Sequence, residues 1–232
     1  DVYKRQDELW LVAGGIFGGS LYFFTENTAL GITQASNVSF IICTAPLLTT
    51  ILSLLFYKSE KASKGLIYGS LLALMGVGLI VFNGSFVLKI SPIGDLLTLL
   101  AALSWAFYSL IIKKMAGRYP TIFITRKIFF YGVLTILPAF LLHPLHPDTV
   151  VLLQPAVLFN LLFLAVLASL ICYVLWNVVL KQLGTVRASN YIYLNPLVTM
   201  IASFLILDEK ITLVALGGAA CIVCGVYWAE KK

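Results

Sequence analysis

Polar side chains inside long apolar stretches are the residues of this sequence that could do chemistry. Glu26 is the one acid clearly within such a stretch, Asn27 follows it, and Asn177 lies in a second stretch. A charge at membrane depth costs roughly 2.5–3.5 kcal/mol on insertion scales, so such residues are often functional. Glu26 is therefore a candidate protonatable or substrate-facing group, the alternative being an acid at headgroup depth. The two amides could line a pathway or form hydrogen bonds between helices.

Two prolines and a polar run join these candidates. Pro46 and Pro196 fall near the middle of apolar stretches, where proline removes a backbone hydrogen bond and frees a carbonyl oxygen. Tyr191 and Asn195 are four residues apart and share a helix face. We expect this face to point into the protein, because a lipid-facing asparagine would be costly. The alternative for each proline is a static kink fixed by packing.

Aromatic side chains are the third group of candidates. Trp105 and Tyr108 lie in one apolar stretch, and Tyr173 and Trp176 lie in another. Their rings could line a pocket for amphipathic or cationic compounds. The alternative for each ring is core packing or a place in an interfacial aromatic belt.

Basic side chains and histidines are weaker candidates. Arg126 and Lys127 lie one to two turns into an apolar stretch. They could attract anionic substrates at an inner vestibule, or they could extend to lipid headgroups. His143 and His146 are four residues apart, but no third ligand is near them in the sequence. The sequence therefore predicts no metal site, and no motif in it predicts a cofactor.

The stretches that carry these residues predict an all-α polytopic membrane protein. The chain is 60% hydrophobic and 11% charged, and its mean hydropathy is +0.98. A soluble domain carries about 25% charged residues. Apolar runs of about 18 or more residues predict transmembrane helices. We count eight such spans, over residues 9–29, 33–56, 64–82, 94–115, 121–142, 156–180, 186–207 and 211–229.

Positive charges predict the orientation of these spans. With the C-terminus in the cytoplasm, only Lys89 and Lys210 of the 16 lysines and arginines lie at the outer side. This is the asymmetry expected of a membrane protein with a positive cytoplasmic side. The net charge of +6 is spread over several loops, so it does not form the single basic face that nucleic acid would need.

Two parts of the sequence match in order about 150 residues apart. The matching residues are Ser39, Pro46, Thr49, Gly69 and Gly76, which return as Ser189, Pro196, Thr199, Gly218 and Gly225. Matched spans are five helices apart, so they must run in opposite directions and form an inverted repeat. Residues 7–84 would be the last three helices of an incomplete first repeat, and residues 93–230 a complete five-helix second repeat. We expect a ten-helix bundle whose first two helices precede Asp1; the alternative is a genuine eight-span protein.

Three segments carry a resemblance to a known family. Residues 35–46, 103–109 and 188–196 are similar to the EamA-like family of the drug/metabolite transporter superfamily. So are the turns at Glu60-Lys61 and Glu209-Lys210, each followed by a glycine-rich helix. The resemblance covers nearly the whole chain from about residue 9. It implies ten helices in two inverted repeats, export or exchange of small metabolites, and cytoplasmic termini.

These observations predict a secondary transporter in the plasma (inner) membrane. Transport would be secondary, because the sequence contains neither an ATP-binding loop nor a catalytic motif. The resemblance implies export of small metabolites or amphipathic compounds, and the inverted repeat implies alternating access. The alternatives are a membrane-embedded enzyme or lipid-handling protein without a recognisable motif, and a scaffold that needs a partner. The expected partners are the lipid bilayer and a small-molecule substrate, with protons and a second copy of the chain as further candidates.

Overall fold

Helices joined by short turns make up the part of the chain that the computed structural model describes, which is residues 5–57, 63–82, 91–142, 149–207 and 211–231. The all-α part of the prediction is therefore confirmed for these residues. Lys89, the pair His143 and His146, and the predicted turns at Glu60-Lys61 and Glu209-Lys210 lie outside the described ranges.

The first half of the chain forms long helices with two interruptions. Its elements are α1 (Arg5–Gly15), a π-helical segment (Ile16–Ser20), α2 (Leu21–Ile32), α3 (Ala35–Ile42), α4 (Ala45–Phe56) and α5 (Lys64–Phe82). The first three follow one another without a break from Arg5 to Ile32. Two turn residues separate α3 from α4, where Thr44 Oγ1 donates to the Ile41 carbonyl oxygen at 2.7 Å.

The second half repeats this style of interrupted helix. Its elements are α6 (Pro92–Ala116), α7 (Thr121–Leu142), α8 (Thr149–Leu152), α9 (Pro155–Leu162), a second π-helical segment (Phe163–Ile171), α10 (Cys172–Leu183), α11 (Thr185–Asn190), a 3₁₀ segment (Tyr191–Leu194), α12 (Asn195–Leu207) and α13 (Leu213–Glu230). Gly184 separates α10 from α11 at a φ of 80°, which only glycine adopts without strain. At the start of α13, the Ala215 N–H donates to Thr212 Oγ1 at 3.1 Å, a regular N-cap.

Six helical stretches of the described chain are long and apolar enough to cross a membrane. They are Asn37–Phe56, Lys64–Phe82, Pro92–Ala116, Thr121–Phe140, Pro155–Leu183 and Leu213–Glu230. The predicted first and seventh spans are helical too but are not among these six. The helix that contains the first span carries Asp7, Glu8 and Glu26, and the seventh span carries Arg187 and Asn190 among other polar residues. Their membrane crossing stays a prediction.

Helices α5 and α13 pack against each other through glycines. A Cβ built on Gly76 would lie 2.5 Å from the Gly218 carbonyl oxygen, and one built on Gly225 would lie 2.5 Å from the Gly69 carbonyl oxygen. The two helices therefore run antiparallel and touch backbone to backbone, as small residues allow in lipid.

Helix burial differs sharply along the chain. In α6, 56% of the 18 most apolar consecutive residues are buried, whereas only 6% are buried in the corresponding part of Pro155–Leu183. No residue of α9 or of the second π segment is buried. Helix α6 is therefore the central element of the bundle, and its residues position much of the site described next.

Candidate functional site

A cavity of about 390 Å³ lies among the middle parts of the helices. This is within the range of 300–1,000 Å³ that is usual for small-molecule sites. Its wall comes from α2, the α3–α4 break, α6, the second π segment with α10, and the 3₁₀ segment with α12. The lining residues are Tyr22, Phe23, Glu26, Ile42, Ala45, Ala102, Trp105, Leu164, Ala168, Ser169, Cys172, Tyr173, Trp176, Tyr191, Ile192 and Asn195.

Trp105 is at the centre of the aromatic part of this wall. Its ring centroid is 5.1 Å from that of Tyr22, 5.6 Å from that of Tyr173 and 5.7 Å from that of Trp176. These distances are typical of tilted and edge-to-face aromatic pairs. The cluster joins α2, α6 and α10, so it gives the cavity a rigid aromatic surface.

Glu26 brings a carboxylate to the same wall. The side chain is half-buried, and Tyr22 Oη, one helical turn earlier, donates to Glu26 Oε1 at 3.1 Å. A carboxylate can accept about four hydrogen bonds, so this single bond leaves it capacity for a ligand. Sequence analysis pointed to Glu26 but missed Tyr22; their i, i+4 spacing was the available signal.

Each of the two prolines removes the usual helical hydrogen bond from a residue that lines the cavity. Each follows a break in its helix: Pro46 comes just after the α3–α4 turn, and Pro196 comes just after the 3₁₀ segment. Because proline has no N–H, it cannot donate to the carbonyl four residues earlier, which belongs to Ile42 and Ile192 respectively. Both isoleucines line the cavity. The Ile192 carbonyl oxygen instead accepts from the Asn195 N–H.

A buried hydrogen-bond chain lies beside the cavity. Tyr108 Oη donates to Asn177 Oδ1 at 2.7 Å, and Asn177 Nδ2 donates to Thr125 Oγ1 at 2.9 Å. All three residues are at most 2% exposed. The chain ties α6, α7 and α10 together, so Tyr108 and Asn177 support the wall and are not among the residues that line it.

The first π segment is fixed to its neighbours by its own carbonyl oxygens. Tyr173 Oη donates to the Gly18 carbonyl oxygen at 2.6 Å, and Ser104 Oγ donates to that of Phe17 at 2.8 Å. A π segment displaces carbonyls from the regular helical ladder, and such segments are frequent at functional sites. Here the displaced groups are satisfied by α6 and α10, which fixes Tyr173 in the cavity wall.

The structure thus brings together only part of the predicted site. Glu26, Trp105, Tyr173, Trp176, Tyr191 and Asn195 line one cavity, whereas Asn27, Pro46, Tyr108, Asn177 and Pro196 are not among its lining residues. Asn27 is exposed, and its amide donates within its own helix to the Phe23 carbonyl oxygen at 2.8 Å. Asn27 and Asn177 therefore have different environments, although their positions match in the sequence.

Ion pairs join the start of α1 to the junction of α6 and α7. Asp7 accepts from Arg118 at 2.6 Å and from Tyr119 Oη at 2.9 Å. Lys127 pairs with Glu8 at 2.9 Å. The predicted vestibule residue Lys127 thus takes part in a contact between helices, while Arg126 is exposed with its guanidinium 5.5 Å from the Phe123 ring centroid.

Sequence reasoning missed the acids of these pairs and the small or apolar part of the cavity wall. Asp7 and Glu8 lie at a helix start, where acids are common, so the sequence alone does not distinguish them. Phe23 could have been found from the repeat, since it lies 150 residues before Tyr173, which was already a candidate. Within the described residues, no group of three His, Cys, Asp or Glu side chains could hold a metal ion.

The described residues thus form a bundle of helices, six stretches of which are apolar enough to cross a membrane, around a solute-sized cavity. The sequence matches the EamA-like transporter family over residues 2–82 and 92–229. The chain belongs to this family and is an integral membrane transporter.

Individual relatives agree with this assignment. The chain is 30% identical over 218 residues to an uncharacterized transporter of Archaeoglobus fulgidus, covering 93% of this chain and 73% of that protein. It is 29% identical over 182 residues to a Salmonella typhimurium protein named "Probable amino-acid metabolite efflux pump", covering 74% of this chain and 60% of that protein. A solved crystal structure has the same fold, with a TM-score of 0.78 and 20% identity over 96% of this chain and 75% of that one.

Proposed function

We propose that this protein is a secondary transporter that exports small metabolites or amphipathic compounds by alternating access around the cavity at Glu26 and Trp105. It would work in the plasma membrane with its C-terminus in the cytoplasm, and without enzymatic chemistry. The name of the Salmonella relative, an efflux pump, supports the outward direction.

The composition of the cavity wall carries this proposal. Several wall residues pair at the interval of 150 that separates the matched segments of the sequence. The pairs are Tyr22 with Cys172, Phe23 with Tyr173, Glu26 with Trp176, Ile42 with Ile192, and Ala45 with Asn195. A cavity lined by equivalent positions of two halves is what a site on the axis of an inverted repeat would show.

The glycine contact between α5 and α13 supports the same symmetry. In the sequence, Gly69 matches Gly218 and Gly76 matches Gly225. In the structure, Gly76 faces Gly218 and Gly69 faces Gly225. Gly76 therefore contacts the counterpart of Gly69, and Gly69 contacts the counterpart of Gly76. This is the reciprocal pattern of a two-fold interface. This favours residues 7–84 and 93–230 as inverted units that could rock against each other.

Cavity-filling variants test the site. Ala168 and Ala165 are both exposed and lie on the same helix, but only Ala168 lines the cavity. We expect Ala168→Trp to abolish export and Ala165→Trp to preserve it. The measurement is the metabolite content of the medium, by mass spectrometry, for cells that express each variant at equal membrane levels. Equal export by the two variants would remove the cavity from the pathway.

Cysteine labelling tests the inverted topology. Ser63 and Ile211 precede α5 and α13, which are the matched helices. In a variant without the native cysteines, we expect a membrane-impermeant maleimide added to intact cells to label Ile211→Cys and to spare Ser63→Cys. Permeabilised cells provide the control, since both sites should then react. Labelling of both or neither in intact cells would rule out the inversion.

Proton coupling is the third part of the proposal. Glu26 is the carboxylate of the cavity, so it is the candidate for carrying a proton during transport. In proteoliposomes, a pH gradient should accelerate substrate movement by the wild type and not by Glu26→Gln. Unchanged acceleration in the variant would exclude this role for Glu26 and leave exchange along the substrate gradient.

A further inference from the structure

The charge and ring content of the cavity indicate which substrates it takes. We propose that it binds small organic monocations, in which one protonated amine or quaternary ammonium is attached to an aromatic or aliphatic body. This inference rests on the proposed function only in taking the cavity as the substrate site.

The charge balance of the wall is the first observation. Among the described residues that line the cavity, Glu26 is the sole carboxylate and none is lysine, arginine or histidine. When it is ionised, this carboxylate has no opposite charge among the lining residues, and a charge withdrawn from water needs such a partner. A bound cation would supply it, whereas a substrate carboxylate would place a second negative charge there and find no formal positive charge in the wall.

The position of the rings is the second observation. Tyr22 holds Glu26 through its hydroxyl at 3.1 Å, and the ring of the same tyrosine lies 5.1 Å from that of Trp105. The carboxylate is thus attached directly to the aromatic cluster. Indole and phenol faces attract ammonium groups, most strongly tryptophan. A cation beside Glu26 can therefore place its apolar body against Trp105 and Trp176.

The asymmetry of the two halves indicates a single charge. The position that matches Glu26 in the second half is Trp176, and the position that matches Tyr22 is Cys172. The carboxylate and its hydroxyl donor are thus present once, on one side of the cavity. A monocation with an aromatic or aliphatic body fits a wall that has one acidic side and one aromatic side.

Four phenyl compounds that differ in their charged group provide the test. Phenethylamine is a cation, 2-phenylethanol is neutral, 3-phenylpropionate is an anion and phenylalanine is a zwitterion. We expect the purified protein in detergent to bind phenethylamine at least about tenfold more tightly than each of the others, as one charge-assisted hydrogen bond allows. Isothermal titration calorimetry measures all four on one scale.

A matched pair of variants assigns the preference to Glu26. Glu26→Gln should bind phenethylamine and 2-phenylethanol equally, and Glu230→Gln, which changes an acid at the end of α13, should keep the wild-type preference. Thermal unfolding of each variant shows that it is folded. Tighter binding of the anion or the zwitterion, or a preference that survives in Glu26→Gln, would overturn the inference and leave the proposed transport intact.

Failure of the proposed function has a different signature. If none of the four compounds binds and the Ala168→Trp and Ala165→Trp variants export equally, the cavity is not a substrate site. That outcome overturns both proposals. Equal binding of all four compounds, blocked by Ala168→Trp, contradicts only the choice of monocations.

Discussion

Two carboxylates near opposite ends of the same long helix have contrasting surroundings. Asp7, in the first turn of α1, is 2% exposed and accepts from both Arg118 and Tyr119. Glu26, in α2, is half-buried and accepts from Tyr22 at the edge of a cavity. At 1.5 Å per residue the two lie roughly 28 Å apart along the helix, close to the thickness of the hydrocarbon core.

This contrast separates structural from functional acids. The Asp7 carboxylate is satisfied by groups of the protein itself, so its removal would affect how α1 is held against α6 and α7. Among the described residues, Tyr22 is the one donor to the Glu26 carboxylate, which adjoins open space. Its removal would therefore affect what the cavity binds. Burial alone would rank Asp7 first as a functional candidate, but its complete set of partners indicates a structural role.

The largest loss of stability is expected at Asp7. Asp7→Asn keeps the size of the side chain but weakens its hydrogen bonds to Arg118 and Tyr119. We expect the free energy of unfolding to fall by about 2 kcal/mol, within the range for hydrogen bonds to charged groups. The half-exposed guanidinium can return to water, which keeps the loss below that of a fully buried pair. Unfolding in mixed micelles titrated with SDS measures it.

Glu230→Gln is the control for this measurement. Glu230 and Arg187 are 4.0 Å apart, a long distance for an ion pair, and their side chains are 27% and 45% exposed. Such a surface pair contributes little to stability. If Asp7→Asn and Glu230→Gln unfold alike, the ion pair at the start of α1 has no special structural role.

The next effect in size is expected in the buried chain beside the cavity. Asn177→Leu leaves the Tyr108 hydroxyl buried without its acceptor, which should cost about 1.5 kcal/mol. The double variant with Tyr108→Phe removes the stranded hydroxyl as well, so it should be more stable than the sum of the two single losses predicts. Strict additivity in the same SDS titration would show that the 2.7 Å bond contributes nothing.

The sequence predicted helices well because their determinants are local. The third span was predicted over residues 64–82, and the structure has Lys64–Phe82. Apolar runs, glycines and prolines suffice for such bounds. The break before Pro46 was predicted only as a kink within the span, whereas the structure has a turn there, in which the Thr44 N–H and hydroxyl both donate to the Ile41 carbonyl oxygen. Six stretches of the described chain have the length and composition of a membrane span. The first and seventh predicted spans are not among them, so their membrane crossing stays a prediction.

The site was predictable only in part, because its polar contacts are between distant residues. Glu26 and Trp105 stand out by type, and both line the cavity. Asn27 and Asn177 match in the repeat, but only Asn177 meets partners on other helices, Tyr108 and Thr125. Residue type identifies polar candidates within spans, and the packing of other helices determines which of them face a ligand.

A smaller effect is expected for the second ion pair at the start of α1. Glu8 and Lys127 are 2.9 Å apart, and their side chains are 24% and 27% exposed. The double replacement Glu8→Gln with Lys127→Met removes both charges at once, so no charge is left without a partner. We expect a change of about 0.5 kcal/mol or less, as for partly exposed pairs. A loss near that of Asp7→Asn would show that the two pairs act as one network.

The smallest effect on stability is expected at Glu26, where the effect on binding is expected to be large. Glu26→Gln retains a carbonyl oxygen that can still accept from Tyr22 Oη, so the free energy of unfolding should change by about 0.5 kcal/mol or less. The same SDS titration that detects Asp7→Asn measures it. A loss above about 1 kcal/mol would mean that Glu26, like Asp7, holds helices together, and the loss of binding in this variant could then reflect a damaged fold. If Glu26→Gln is as stable as the wild type but no longer binds, then Asp7 has a structural role and Glu26 has a role in binding.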